Sequence, residues 1–409
     1  MSHPTTAPTP SNVSSKEGDM KFQTKMKLMA SISAALAIGF HAYLLKSHYD
    51  LRYGEVAGTL LCDISAKFSC SATSASSWSE FLGVPLALWG LLANLAFLTL
   101  AGWETISGPE NRHTNRTSIL VVALVLAGAS VVMGGISFAV LNTICPFCVV
   151  TYVLSVPTVV GAFLGYRQGL APKLGFSFVW LTLGFAIAGL FLNDQFRSSY
   201  SSRGGDAKAM AALSEWTLNS VIEIPETDPL AMGPNRAQAK MTIVEFADFR
   251  CIHCKHAATP LKAFLAAHPD TRLEFYSWPL DGECNTSIQQ ANGASCLLAR
   301  VVWCARSKAN KGWEAHQTIF DRSDEWRSAE KIRESLDSIA VQIGAPPEIL
   351  KSCSDSAEAK SAIESQARLG TALSLRGTPA IFINGRLLPP EGVSITGLNA
   401  VHKAIKDGK

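Results

Sequence analysis

A net charge of only +3 over 409 residues, from 36 basic against 33 acidic side chains, excludes a surface built to bind nucleic acid. Hydrophobic residues make up 48% and charged residues 17%, and the apolar share is gathered into long runs in the first half. A chain of this length and division predicts two domains plus tails rather than one soluble core.

Ser, Thr and Pro dominate residues 1–22 without apolar periodicity, which predicts a disordered tail. Five apolar runs follow, Lys27–Leu45, Gly83–Ala101, Ile119–Leu141, Pro146–Tyr166 and Leu174–Leu192. Each is long enough to cross a hydrocarbon core of about 30 Å at a helical rise of about 1.5 Å per residue. Five in succession exceed what a soluble core needs, so they are read as membrane spans. The first lies behind a polar tail, and no small-x-small pattern precedes Asp50, so it is expected to remain as an anchor rather than a cleaved leader.

Basic residues set the expected orientation. Lys16, Lys21, Lys25 and Lys27 precede the first span, Arg112 and Arg116 lie between the second and third, and Arg167 and Lys173 between the fourth and fifth. Placing all three groups in the cytoplasm puts the loop 46–82, the turn at 142–145 and everything beyond the fifth span outside. All ten cysteines then face the external side, and their even number and paired spacing fit an oxidising compartment.

Past the fifth span (171–193), residues 194–238 read as a polar linker with one amphipathic helix near 207–221. The soluble domain is expected over 239–409, after a membrane domain over 23–170. It opens with a strand at 241–248 and a helix at 255–267, followed by a second strand at 272–278. A mostly helical stretch spans 285–373, Gly377–Gly385 reads as a strand and hairpin turn, and 395–405 closes with a helix.

The first strand delivers the chain to Cys251-Ile-His-Cys254 at a helix start. Unsatisfied N–H groups and the macrodipole stabilise a thiolate there, so Cys251 is the expected nucleophile and Cys254 its resolving partner. A depressed thiol pKa favours the reduced form and makes the disulfide a stronger oxidant, and His253 is expected to add to that effect. Neither Cys-x-x-Cys is followed by the histidine of a haem attachment motif, and the two pairs lie in different contexts, which argues against one zinc site. No metal is expected. About 125 residues further on comes Gly377-Thr-Pro379 before a strand. This arrangement resembles the thioredoxin superfamily, and within it DsbA-like proteins with a helical insertion. The resemblance implies an α/β thioredoxin fold with a cis Pro379 facing the dithiol.

Four further cysteines form two close pairs in the membrane half, Cys62 with Cys70 and Cys145 with Cys148. Thiol–disulfide exchange needs a pair that can visit two partners, and a loop supplies one. These residues, with Ser76, Gly83-Val-Pro85, Cys145-Pro-Phe-Cys148 and Thr151-Tyr152, resemble the vitamin K epoxide reductase family. The resemblance implies a four-helix transmembrane bundle, here with a fifth span leading to the fused domain, as in bacterial members. It further implies a multi-pass protein of the bacterial inner membrane, its N-terminus cytoplasmic and its thioredoxin-like domain periplasmic. Electrons from reduced exported proteins would pass to the membrane quinone pool, ubiquinone or menaquinone. Cys251 would exchange at Cys70, Cys62 at Cys145, and Cys148 would lie beside the quinone with Ser76 and Tyr152 shaping its site. Leu86 replaces the asparagine of epoxide-reducing members, which favours a plain quinone.

Cys284, Cys296, Cys304 and Cys353 belong to the helical insertion and are expected to form structural bridges; they allow three connectivities that the sequence does not decide, proximity favouring Cys284–Cys296 with Cys304–Cys353 left over. Trp78, Trp89 and Trp103 read as interfacial anchors, and His41 and His48 as packing residues. The expected activity is a quinone-dependent protein thiol oxidase. The alternatives are an exported reductase or isomerase with outward electron flow, or a non-catalytic thioredoxin-fold chaperone held in the membrane.

Overall fold

Apolar runs too long for one turn of a soluble core become helices that bury their backbone polar groups internally. The computed structural model describes residues 10–53, 60–63, 68–141, 143–168, 170, 174, 176–202 and 205–408. It divides into two units. The first takes Met1–Tyr49, Cys62–Thr73 and Ser77–Ser199, and the second Asp50–Leu61, Ser74–Ser76 and Tyr200–Lys409.

The elements run in chain order as α1 (Pro10–Tyr53), α2 (Cys70–Ala75), a hairpin of β1 (Glu80–Phe81) and β2 (Val84–Pro85), α3 (Leu86–Ile106), α4 (Pro109–Ala139), α5 (Pro146–Tyr166) and α6 (Phe176–Ser202). Helices α1, α3, α4, α5 and α6 contain five segments long and apolar enough to cross a membrane. Their outward faces carry Leu124, Val131, Val132, Phe138, Leu190 and Phe191, all exposed. A soluble protein does not display such a surface; a lipid-facing one does.

The fourth span begins and ends where the sequence predicted, because Pro146 takes the first helical position and Cys145 caps it. The tail expectation needs correction. Helix α1 reaches back to Pro10, so residues 10–22 are helical; residues 1–9 lie outside the described residues. Pairs spaced four apart, Glu17–Lys21 at 2.7 Å and Asp19–Gln23 at 3.1 Å, support the added turns. Asp19 also accepts from Gln168 Nε2 at 2.9 Å, a tertiary contact that local composition does not announce.

Within the first unit, Phe97, Leu100, Ile119, Ala123, Ala162 and Tyr166 form the packed centre. Gly161 lets α5 approach α1 closely, since a Cβ there would stand 2.6 Å from the Met26 carbonyl. At the β1–β2 turn both Leu82 (φ 54°) and Gly83 (φ 73°) are left-handed, the geometry of a two-residue hairpin. Trp89 Nε1 donates to the Phe81 carbonyl at 3.1 Å and ties that hairpin to α3. Tyr49 donates to Asn193 Oδ1 at 2.6 Å, and Asn193 donates to the Gly83 carbonyl at 3.3 Å.

Buried Glu104 joins three helices by accepting from Arg116 Nε at 2.8 Å and from Lys27 Nζ at 3.1 Å. Glu104→Ala leaves both cations unpaired and is expected to lower stability by about 2–3 kcal/mol. Denaturant unfolding of the detergent-solubilised protein checks this; an unchanged midpoint means that packing alone holds the three helices.

The second unit starts with α7 (Gly205–Leu218) and β3 (Leu230–Met232), then β4 (Met241–Ala247), α8 (Ile252–Ala267) and β5 (Thr271–Ser277). The helical insertion comprises α9 (Ala294–Ala309), α10 (Gly312–Asp321), α11 (Ala329–Ile343), α12 (Pro347–Ser354) and α13 (Ala357–Ala372). β6 (Ala380–Ile383), β7 (Arg386–Leu388) and α14 (Ile395–Lys406) close the chain. The sheet order is β3-β5-β4-β6-β7, with β4 and β5 parallel and the other pairs antiparallel. This is a thioredoxin fold with the expected insertion. Its central strands, rich in β-branched and aromatic residues, are covered on both faces.

The expected linker also needs correction, because most of it is built into this unit. Along α7, Ala209, Ala212 and Trp216 are buried, Trp216 and Leu213 join the core that includes Ile381 and Ile383 of β6, and Trp216 Nε1 donates to the Ile383 carbonyl at 3.2 Å. β3 adds an edge strand beside β5, held by the register Leu230↔Phe275.

In the insertion Cys284 is bonded to Cys296 and Cys304 to Cys353. The second bond spans 49 residues, so by chain entropy its loss through Cys304→Ala with Cys353→Ala is expected to cost about 4 kcal/mol. Unfolding in denaturant under oxidising conditions measures it, and an unchanged midpoint argues for a redox role instead.

Candidate active site

Strand β4 brings the chain to the dithiol, and Asp248 shapes the turn. Its Oδ1 accepts from Arg250 N at 2.6 Å, its Oδ2 accepts from Leu280 N at 2.6 Å, and its carbonyl accepts from Cys251 N at 3.1 Å. Cys251 thereby becomes the N-cap of α8, half-buried, while Cys254 one turn later is fully buried. Both are free thiols. Thr378-Pro379 is a cis peptide, and the Thr378 carbonyl lies 3.4 Å from Cys251 Sγ.

The Cys254 thiol, hydrogen-bonding the Cys251 sulfur, is the largest of the effects that pull the Cys251 pKa down to about 5. Burial opposes it, and Thr378 and the backbone N–H groups of Cys254 and His253 assist. Cys254 moves the other way: burial, then the neighbouring Cys251 sulfur, pushes its thiol well above the usual range. His253 is exposed, and its contribution to the thiolate comes through the backbone.

Two acidic groups here went unread in the sequence. Asp248 sits three residues before Cys251, an Asx-turn position before a helix start that does carry a sequence signal. Glu245 lies six residues before Cys251 on β4, 1% exposed, and burial lifts its carboxyl to about 8. Its proton is retained at neutral pH, and its Oε1 has no hydrogen-bond partner among the described residues. A charged residue inside an apolar strand was the available signal.

In the first unit four sulfurs line up. Cys62 is bonded to Cys70, Cys145 is bonded to Cys148, and the sulfurs of Cys70 and Cys145 lie 3.3 Å apart. A short backbone ladder sets this alignment: Phe68 pairs with Ile144 in parallel, and Ser69 N donates to the Ile144 carbonyl at 3.0 Å. Asp63 Oδ1 accepts from Ser69 Oγ at 2.9 Å and from Ser71 N at 3.0 Å, which ties Asp63 to the start of α2. Cys62, Cys70 and Cys145 are each 1% exposed, while Cys148 is half-buried in the first turn of α5.

The expected order set Cys251 against Cys70 and Cys62 against Cys145, whereas the sulfur that lies against Cys145 is that of Cys70. Cys70 is the sulfur that faces Cys145, because the ladder at Ile144 ends directly at Cys70, whereas Cys62 lies on the preceding turn. Asp63, Ser69 and Ile144 carried no sequence signal for this, since the pairing spans about 75 residues.

Phe147, between the two cysteines of α5, is met edge-on by Phe40 at 5.3 Å and Tyr43 at 5.1 Å. Tyr152, one turn beyond Cys148, lies against Gly134 of α4. Ser76 is buried and falls in the second unit, while Tyr152 belongs to the first. His41 lies against Gly90 of α3, and His48 Nε2 is 3.3 Å from Glu80 Oε1. Both are packed, as expected of structural histidines.

A helical bundle of membrane-spanning length with aligned disulfides, and a thioredoxin fold with a helix-capping thiolate, define a redox-active thiol–disulfide protein. Residues 28–163 match the model of the vitamin K epoxide reductase family, and residues 242–402 that of the DSBA-like thioredoxin domain. The chain is a fusion of a vitamin K epoxide reductase family domain with a DSBA-like thioredoxin domain.

Among curated proteins it is similar to a putative protein-disulfide oxidoreductase of Rickettsia prowazekii, with 28% identity over 173 residues, 42% of this chain and 60% of that one. It is also 24% identical over 182 residues to the Na(+)/H(+) antiporter NhaA 3 of Salinispora tropica, 44% of this chain and 25% of that one. The chain thus spans less than two thirds of either relative. Among solved structures, a thioredoxin-like oxidoreductase from Silicibacter pomeroyi is 26% identical, with a TM-score of 0.35, covering 44% of this chain and 94% of that one.

Proposed function

We propose that this protein is a thiol oxidase of the bacterial inner membrane that makes disulfides in exported proteins and passes the electrons to a membrane quinone. The contact that carries the reading is the 3.3 Å approach of Cys70 to Cys145, which joins two disulfides into one exchange path. The Cys251–Cys254 disulfide takes two electrons from a substrate dithiol, whose thiols become a disulfide. Cys251, a thiolate at neutral pH, then attacks Cys62 and releases Cys70 as a thiolate; Cys254 displaces Cys62 and closes the first pair again. Cys70 attacks Cys145 and releases Cys148, and Cys62 displaces Cys145 to restore the loop disulfide. Each step makes one S–S bond and breaks one.

Cys148 is half-buried in a helix N-terminal turn whose Phe147 meets Phe40 and Tyr43, and it is the candidate to face a flat apolar ring, with Tyr152 further along α5 and Ser76 as added candidates. When bound, the quinone accepts the two electrons and two protons of the Cys145–Cys148 dithiol. The low Cys251 pKa favours a disulfide that oxidises clients, which supports inward electron flow over the reductase reading. A periplasmic second unit, N-terminus in the cytoplasm, follows from the basic residues of the connecting loops. The relative from Rickettsia, described as a putative protein-disulfide oxidoreductase, agrees with this chemistry.

Pairwise retention of cysteines tests the path. With Cys62→Ala and Cys148→Ala, a mild oxidant should close Cys70–Cys145 at least ~10-fold faster than it closes Cys62–Cys145 when Cys70→Ala replaces Cys62→Ala. Equal rates, read by peptide mapping, would sink the assigned order.

A further inference from the structure

We propose that His268, Asp270 and His402 bind a divalent transition metal ion, with zinc as the reference ion, at a site of the second unit remote from its dithiol. One ligand atom from each of the three lies within 4.8 Å of the others. His268 caps the C-terminal end of α8, Asp270 lies in the turn into β5, and His402 reaches over from α14. Cys251 caps the opposite end of the 16-residue helix α8, which separates the two places by about 24 Å. Metal held here leaves the thiolate untouched.

His402 is the second observation. It is 4% exposed, and its buried Nε2 makes no well-aligned hydrogen bond among the described residues, lying at ion-pair distance, 3.4 Å, from Asp270 Oδ1. The two imidazole rings are 4.3 Å apart at their centroids. A buried ring nitrogen left unsatisfied costs free energy, and a metal ion bonded to it removes that cost. His268 Nε2 lies 2.9 Å from Asn399 Oδ1, so the amide oxygen accepts the Nε2–H and leaves Nδ1 with a free lone pair. That is the outer hydrogen bond by which metal-ligating histidines are oriented.

Two nitrogens and one carboxylate oxygen select zinc, cobalt or nickel over calcium or magnesium, which prefer all-oxygen sites. Lys240 and Lys406 approach the carboxylate at 3.9 Å, both on Asp270 Oδ2, and leave Oδ1 to face His402. Both lysines are largely exposed and can swing into solvent. Tetrahedral zinc with bonds of about 2.0–2.2 Å holds its ligand atoms about 3.3 Å apart, so side-chain rotation closes the set. Three protein ligands leave the fourth position to water.

The test uses the full-length protein in detergent with every cysteine pair oxidised, which removes thiolates as competing ligands. Equilibrium dialysis against micromolar zinc chloride should load one zinc per chain, and cobalt chloride should give the visible absorption of a tetrahedral site. His268→Ala and Asp270→Asn should each weaken zinc binding at least ~10-fold, Asn399→Ala less so, and Lys406→Ala should leave it unchanged or tighter. Asp270→Asn keeps the side chain's shape, so its effect reads ligation rather than folding. Zinc uptake by the wild type no greater than by a His268→Ala, His402→Ala double variant overturns the site, as does full affinity in Asp270→Asn.

Discussion

Cys148→Ala should lower thiol-dependent quinone reduction at least ~10³-fold while the protein accumulates a Cys70–Cys145 disulfide. The reason lies in the row of sulfurs. Without Cys148, Cys145 is a lone thiol, and the nearest sulfur to it is Cys70 at 3.3 Å. Its thiolate attacks the Cys62–Cys70 disulfide at Cys70, one S–S bond replaces another, and Cys62 leaves as a free thiolate. No second cysteine in α5 can then resolve the product toward the acceptor. Quinol formation followed by absorbance measures the loss, and non-reducing peptide mapping identifies the trapped pair. Normal turnover in this variant removes Cys148 from the path. Trapping of Cys62 with Cys145 restores the order that the sequence alone suggested.

The second large effect belongs to the other dithiol. Peptide-resolved alkylation of Cys251 in the reduced protein should follow a titration with its midpoint near pH 5, leaving about 99% thiolate at pH 7. The leading cause of the depression is the hydrogen bond from the Cys254 thiol, so Cys254→Ala should raise the midpoint by more than about one unit. Cys254→Ser keeps a donor and should raise it less. The sign for stability follows. A thiol with a depressed folded pKa adds stability to the reduced protein that is complete above its unfolded value and is lost as pH falls through about 5. The reduced form is therefore favoured increasingly from pH 5 upward, so in the proposed direction of flow the disulfide should be a stronger oxidant at pH 7 than at pH 5. A Cys251 midpoint in the ordinary thiol range would contradict the geometry of the cap.

Much of this was legible before any coordinates. The fourth span could be bounded to the residue because Pro146 and Cys145 mark its start by a local rule. Cys-x-x-Cys after a strand, followed at a distance by Gly-Thr-Pro, placed the dithiol and its facing loop. What escaped depends on contacts far apart in sequence. The α7 helix hides in a polar segment because its burial comes from Ile383 and the β6–β7 hairpin, over 160 residues away. β3 is three residues long, too short for a period to show, and owes its existence to β5. The choice between Cys62 and Cys70 turns on the Phe68–Ile144 ladder, which neither composition nor spacing encodes. Glu245 escaped for a different reason: a strand pattern reports which positions are apolar, and the informative residue was the exception.

The closed sulfur row has a consequence for electron accounting. Two disulfides side by side in one bundle can absorb four electrons, whereas on the proposed path a single delivery from the thioredoxin-like unit would bring two. The bundle is then a capacitor as well as a conduit. On the proposed path, a second client dithiol would be discharged before the first pair of electrons had left the membrane, which would uncouple bursts of secreted thiols from the momentary supply of oxidant.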